Sequence, residues 1–277
     1  MFKKKSLLAA GMALILAACG QGGESSEESS SNPDAKEVTV AVENSSKPLS
    51  FTDDSGELTG YEVETIKALD EVVDDYNFNI ESADAEGTQV GLDTGKYQMI
   101  GGGLYKTKER EDLYLFSDEN SGASIIRIYK RKDDDSIKTL DDLTDKKVHP
   151  VTPNGGIFNL LTEYNEDHPD KKIDIQLGES GDFAQQFQAI DERKSDAVVI
   201  PSNIGANDII DELDLNVEPV EEPVRVNPTY FVLAPDQEDL KTAVDEGIKE
   251  LKENGRLKEL SEKWYGEDMF QYEITES

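Results

Sequence analysis

The chain has 277 residues, 36% of them hydrophobic, with 60 acidic against 28 basic side chains and a formal net charge of −32. That balance excludes a nucleic-acid binder, which needs a basic face, and argues against adhesion of the folded body to anionic lipid headgroups. One cysteine and two histidines leave no internal disulfide and no His/Cys cluster of zinc-ligand spacing, so no metal or other cofactor is expected.

Lys3, Lys4 and Lys5 precede an apolar stretch from Leu7 to Ala18, which runs into Cys19-Gly20. A basic start, about a dozen apolar residues and a small-residue end predict a signal peptide over residues 1–18. The stretch is too short to span a bilayer, which takes roughly 20 apolar residues. Leu16-Ala17-Ala18-Cys19 resembles a bacterial lipobox, which implies that Cys19 is lipidated and becomes the new N-terminus. Two acyl chains meet the requirement for stable anchoring, at about 0.8 kcal/mol per buried methylene. The plain alternative is an exported free thiol. The expected location is the cell membrane, lipid-anchored, on its extracellular or periplasmic face. Losing residues 1–18 removes three lysines and no acid, taking the charge from −32 to −35. Gln21 to Ala35 carries no large apolar residue and cannot offset its ordering entropy, so residues 19–36 read as a flexible tether.

The remaining roughly 235 residues suit two domains. Val38, Val40 and Val42 alternate as a strand, and Val63, Ile66, Leu69, Val73 and Tyr76 form a helical stripe. Phe78 to Ile80 is a second strand, Val90 and Leu92 begin a helix stopped at Gly95, and Gln98-Met99-Ile100 is a strand running into Gly101-Gly102-Gly103. Ile125 to Tyr129 is a longer β-branched strand. The pattern then repeats: a helical turn at Leu140 to Leu143, a strand at Lys147-Val148, and a turn at Asn154-Gly155-Gly156. A helix through Ile157, Leu160, Leu161 and Tyr164 follows, then a strand at Ile173 and Ile175 and a helix through Phe183, Phe187 and Ile190. Ala197 to Ile200 reads as a buried parallel strand and Val224 to Val232 as an extended return. Two C-terminal helices are separated by Asn254-Gly255. Alternation of this kind predicts an α/β fold with mainly parallel sheet, and two successive sets predict two lobes with a ligand site between them.

Four ordered segments resemble the family 3 solute-binding proteins of ABC importers for polar amino acids. They are Gly60-Tyr61-Glu62-Val63-Glu64, then Gly95 through Thr107-Lys108-Glu109-Arg110 to Leu115-Phe116-Ser117, then Lys194 to Val199, and Asn254-Gly255-Arg256-Leu257 through Lys263-Trp264-Tyr265-Gly266. The resemblance spans residues 38–268. It implies a type II periplasmic-binding-protein fold: two mainly parallel sheets joined by two hinge strands, with lobe 1 at 37–129 plus 225–277 and lobe 2 at 130–224. It also implies a monomeric extracellular lipoprotein that captures an amino acid between closing lobes and hands it to an ABC permease driven by an ATPase.

By the same resemblance, Arg110 grips the ligand carboxylate, for which a planar guanidinium suits. Its plain alternative is a solvated charge within Lys108 to Glu111. Gly103 and Tyr105 line the amino-acid head, where Gly101 to Gly103 could otherwise be a strand-end turn. Asn154, Gly155 and Gly156 offer N–H groups at a helix start, or Asn154 simply caps it. Two positions depart from the family. Pro201 stands where an aspartate usually binds the ligand ammonium, leaving Ser202, Asn203 or Asp208 to substitute. Ser46 and Lys47 precede Pro48 where an aromatic wall is usual. Glu62, Glu64 and Gln98 replace typical aspartates and read as structural. The Tyr164-Asn165 helix end and the Leu115-Phe116-Ser117 context are similar to cystine-type binders. A sensor or adhesin using the same grip, or a dehydratase-like enzyme on the same fold, is the alternative. Catalysis would need a poised group in the cleft, and His149 and His168, each followed by proline, read as surface turns.

Overall fold

The computed structural model describes residues 32–179 and 181–275. The signal peptide, Cys19 and the tether up to residue 31 lie outside the described residues. Residues 32–36, read as the end of the tether, are held to the body: Asn32 N–H donates to Asn77 Oδ1 at 3.1 Å and its side-chain amide donates to the Asp74 carbonyl at 3.0 Å.

The chain opens with β1 (Lys36–Val42), whose Val40, Ala41 and Val42 are fully buried because it lies between two parallel neighbours. A small antiparallel sheet follows, made of β2 (Ser45–Ser46), β3 (Ser50–Thr52) and β4 (Leu58–Thr59). Helix α1 (Tyr61–Val72) starts where Tyr61 and Glu62 N–H groups donate to the Pro48 and Leu49 carbonyls at 3.0 and 2.9 Å. Gly60 permits this approach. Its φ is 122°, and a Cβ there would lie 2.5 Å from the Leu49 oxygen, so any other residue is strained.

Next come β5 (Tyr76–Ser82), α2 (Ala85–Asp93), β6 (Met99–Leu104), the one-turn α3 (Lys108–Glu111), β7 (Leu115–Phe116) and β8 (Gly122–Arg131). The second half supplies α4 (Gly156–Asp167), α5 (Phe183–Asp191), β9 (Ala197–Pro201), α6 (Ala206–Glu212) and β10 (Val217–Pro219). The long strand β11 (Arg225–Leu233) leads back to α7 (Glu238–Glu253) and α8 (Arg256–Tyr265).

Strands β5, β1 and β6 are parallel, and β11 joins β6 antiparallel. All ten residues of β8 are buried. Residues Gly122 to Ile126 pair with β11, and Ile126 to Lys130 pair with β9, so the partner changes at Ile126. The cores change at the same place. Ala123 and Ile125 pack with Val40, Ile66, Leu69 and Phe231, whereas Ile126 and Ile128 pack with Leu143, Leu160 and Val199. Tyr129 packs with Phe187 and Val198 in a third cluster.

The α/β class holds, and the two sets of strands are joined through the β8–β11 pair. Six strands run in the order β10-β8-β11-β6-β1-β5, with β7 on β11 and β9 on β8. The pairing is mixed, parallel at β5-β1-β6 and antiparallel around β8 and β11. The strand expected at Lys147-Val148 shrinks to a single parallel bridge from Val148 to Ala197, and the one expected at Ile173 and Ile175 does not form, the nearest bridge joining Val151 to Leu177. At Ile173 the cause is local. Asn165 Oδ1 accepts from Ile173 N–H at 2.7 Å and Asn165 Nδ2 donates to the Ile173 carbonyl at 2.9 Å, so a side-chain amide replaces the neighbouring strand. The glycine run Gly101 to Gly103 lies inside β6 instead of ending it.

Candidate functional site

A cleft opens where β6, β8, β9 and α4 converge, and one of its walls rests on a buried acid. Glu62, only 2% exposed, accepts from Gly103 N–H at 2.9 Å through Oε1, while Oε2 has no hydrogen-bond partner. A Cβ on Gly101 would lie 2.6 Å from that oxygen. Burial pushes the Glu62 carboxyl up, against the backbone N–H groups of Gly102 and Gly103, which favour the anion. Above it Gly102 and Gly103 adopt φ of 133° and 63°, turning the backbone toward the cleft.

The cavity on this wall holds about 220 Å³ and is lined by Gly102, Gly103, Tyr105, Ser124, Pro201, Asn203 and Thr229, among others. Asn203 reaches back to β8, with Nδ2 3.4 Å from the Ala123 carbonyl and Ser124 Oγ 3.4 Å from its Oδ1. Tyr61 forms another part, its hydroxyl donating to the Ser121 carbonyl at 2.6 Å and its ring 5.3 Å from that of Tyr265.

Tyr105 and Pro201 also line a larger cavity of about 970 Å³, with Lys106, Gly156, Ile157, Asn159, Arg225, Asn227 and Tyr230. Its far wall is the start of α4. Gly155 is the N-cap and no side chain caps the helix; Asn154 is exposed, with φ 60°. The reading of Asn154 as a cap therefore fails, and the first-turn N–H groups remain available to an anion. Behind them a pocket of about 210 Å³ joins Thr152, Gly155 and Gly156 to Phe183 and Pro201.

Arg110 sits at the margin. Thr107 caps α3 by accepting from Arg110 N–H at 3.3 Å, and the guanidinium donates through Nη1 to the Tyr105 carbonyl at 3.2 Å. It is half-buried, and its side chain lines neither cavity. Gly103, Tyr105 and Gly156 thus surround one connected cleft, with Arg110, Asn154 and Gly155 on its edges.

Ser202 faces elsewhere. Its hydroxyl donates to Glu267 Oε1 at 3.2 Å, and it lines a separate cavity of about 430 Å³ with Pro48, Phe51, Asp208 and Trp264. Glu267 in turn pairs with Arg127 Nη2 at 2.7 Å, and Arg127 also donates to the Tyr272 hydroxyl and the Val220 and Glu221 carbonyls. This polar knot ties β8 to the C-terminal segment. Of the three substitutes considered for the missing aspartate, only Asn203 faces the cleft of Gly103 and Tyr105. Ser124 was not singled out from the sequence; its signal is a hydroxyl directly before the β-branched pair Ile125-Ile126.

The sequence profile of the Bacterial extracellular solute-binding proteins, family 3, matches residues 38–267. The chain belongs to that family. The solute-binding protein is 29% identical to the L-cystine-binding protein TcyJ of Bacillus subtilis over 271 residues, 97% of each chain. It is similar in structure to the probable amino-acid ABC transporter extracellular-binding protein ytmK of Bacillus subtilis, with a TM-score of 0.71, 25% identity and coverage of 84% of this chain and 99% of that one. A structure described for glutathione import via GshT and the cystine ABC importer TcyBC of Streptococcus mutans is 30% identical, with a TM-score of 0.61 over 85% and 97% of the two chains. The fold is therefore the two-lobed one of periplasmic binding proteins. Among the described residues no helix is long and apolar enough to cross a membrane.

Proposed function

We propose that this solute-binding protein captures an amino acid, specifically L-cystine or a close relative, between its two lobes and delivers it to the permease of an ABC importer. The observation that carries this reading is the cleft itself: Gly103, Tyr105 and the Arg110 guanidinium on one side, the uncapped start of α4 on the other. Similarity to L-cystine-binding proteins supports the choice of ligand.

In this reading Arg110 swings from the Tyr105 carbonyl to make a two-pronged contact with the ligand carboxylate. The first-turn N–H groups of α4 from Gly156 onward supply the second anion contact, while Gly155 N–H is held by the Thr152 carbonyl at 3.1 Å and Gly155 serves only as the cap. The carbonyls at Gly103 and Tyr105, with Asn203 and Ser124, hold the ammonium in place of the absent aspartate; Ser202 would act only by leaving Glu267. The lobes comprise residues 37–129 with 225–277, and 130–224; the change of core along β8 supports a two-lobe division but falls at Ile126, ahead of that boundary. The protein acts as a receptor and not an enzyme, held at the membrane by lipid on Cys19.

Isothermal titration of the chain from residue 20 tests the grip. The Arg110→Ala variant strands a partly buried ligand charge, a loss of about 2–5 kcal/mol, or roughly thirtyfold to several thousandfold in affinity. Arg110→Lys recovers part of it, since an ammonium lacks the planar fork. Affinity within about threefold of the parent, under 1 kcal/mol, would move the carboxylate site elsewhere. A flat response to all amino acids would overturn the function. For the anchor, Cys19→Ser is expected to abolish palmitate labelling and release the protein from membranes; continued labelling would exclude Cys19 as the attachment point.

A further inference from the structure

We infer that Lys106 recognises a second carboxylate at the far end of the ligand, so that the cleft selects double-headed amino acids. This rests on the reading above, in which an amino-acid head sits beside Gly103 and Tyr105.

The cleft has two compartments of unequal size, about 220 and 970 Å³, which meet at Tyr105 and Pro201. A single small amino acid needs only the first. The second is reached across an apolar waist and is itself lined by Ile157 and Tyr230 together with polar groups, so its occupant is a linker with something polar beyond.

Two cations line this compartment, and they differ in commitment. Arg225 is paired with Glu163 at 2.6 Å. Lys106 forms no ion pair with any described residue. Its ammonium rests 4.0 Å from the centroid of the Tyr230 ring, which also lines the compartment. Asp118 feels the Lys106 charge, but its carboxylate is bonded to Lys241 at 2.7 Å.

In a chain with 60 acids for 28 basic residues, a half-buried lysine that faces a cavity and has no carboxylate partner is unusual. A cation–π contact outside a dry site is weaker than a charge-assisted hydrogen bond to a carboxylate. An entering anion therefore outcompetes the ring for the ammonium. The local positive charge also offsets the repulsion that an anionic group meets in so acidic a body. Because Lys106 directly follows Tyr105, about 3.8 Å along the backbone, one molecule with its head at Tyr105 can present its far end to Lys106. An amino acid bearing a second carboxylate beyond an apolar or disulfide linker meets all of these conditions.

The test compares two probes that differ by one carboxylate: L-cystine, and the mixed disulfide of cysteine with cysteamine. Isothermal titration of the parent is expected to give at least tenfold tighter binding of cystine. The Lys106→Met variant keeps the stem and removes the charge. It is expected to lose at least tenfold in cystine affinity while binding the mixed disulfide at least as tightly as the parent does, because the bare ammonium of that probe no longer meets a like charge. Retained binding of the mixed disulfide also shows that the variant is folded. Lys106→Arg is expected to restore part of the preference. Equal binding of the two probes by the parent, or a preference that persists in Lys106→Met, overturns this inference and leaves the proposed function standing. Binding of neither probe by the parent overturns both.

Discussion

A carboxyl group buried beneath a glycine run, as Glu62 lies beneath Gly101 to Gly103, shapes a binding wall without lining the cavity. Its Oε1 accepts from Gly103 N–H, and its Oε2 has no hydrogen-bond partner among the described residues. Burial is the dominant cause that holds its carboxyl above the ordinary range. The folded chain therefore keeps this proton to higher pH than the unfolded chain does. Between the two pKa values the folded state binds more protons, so this group's contribution to stability declines as pH rises through that window. Glu62→Gln keeps the shape and removes the ionisation. Its melting temperature minus that of the parent is expected to be more positive at pH 8 than at pH 5. An equal difference at the two pH values, measured by thermal unfolding, would mean that Glu62 stays ionised in the fold.

At the scale of elements, the stripe of α1 and the amphipathic faces of α7 and α8 were legible because helical spacing is a local property of the chain. How closely those helices approach was not. Helix α7 packs on α1 at Gly247, where a Cβ would lie 2.7 Å from Val73 Cγ2 and 2.8 Å from Leu69 Cδ2. Both partners are buried core residues with little room to move. Gly247→Ala gains up to about 1 kcal/mol of helix propensity but overpacks the interface, which typically costs about 1–3 kcal/mol. The expected net result is a melting temperature lower by about 2–6 °C; an unchanged or higher value would show that α7 can shift outward. The strand expected at Ile173 fails for a comparable reason. Its apolar pattern is real and Ile173 is buried, but Asn165, a helix residue eight positions earlier, takes both of its backbone groups.

For the molecule as a whole, the acidic excess sets a background that screening limits to about 10 Å at 0.1 M salt. It governs solubility and the approach of charged solutes, not the fold. The α/β class and the family were readable from local period and short ordered motifs. These depend on neighbours within a few positions. The cleft depends on pairs far apart in the chain, such as Asn203 with Ala123, 80 residues away. The chain turns as it leaves β9 at Pro201, and that turn, with Ser202 N–H held by the Ile125 carbonyl at 2.7 Å, sends Ser202 to Glu267 and Asn203 to the cavity of Gly103. The same holds for Arg110, which rests on the Tyr105 carbonyl at the rim, and for Lys106, whose place over Tyr230 comes from the pairing of β6 with β11. Residue types and spacing named the chemistry, and long-range packing assigned each side chain to a wall, because a chain's own periodicity carries no information about which distant strand will lie beside it.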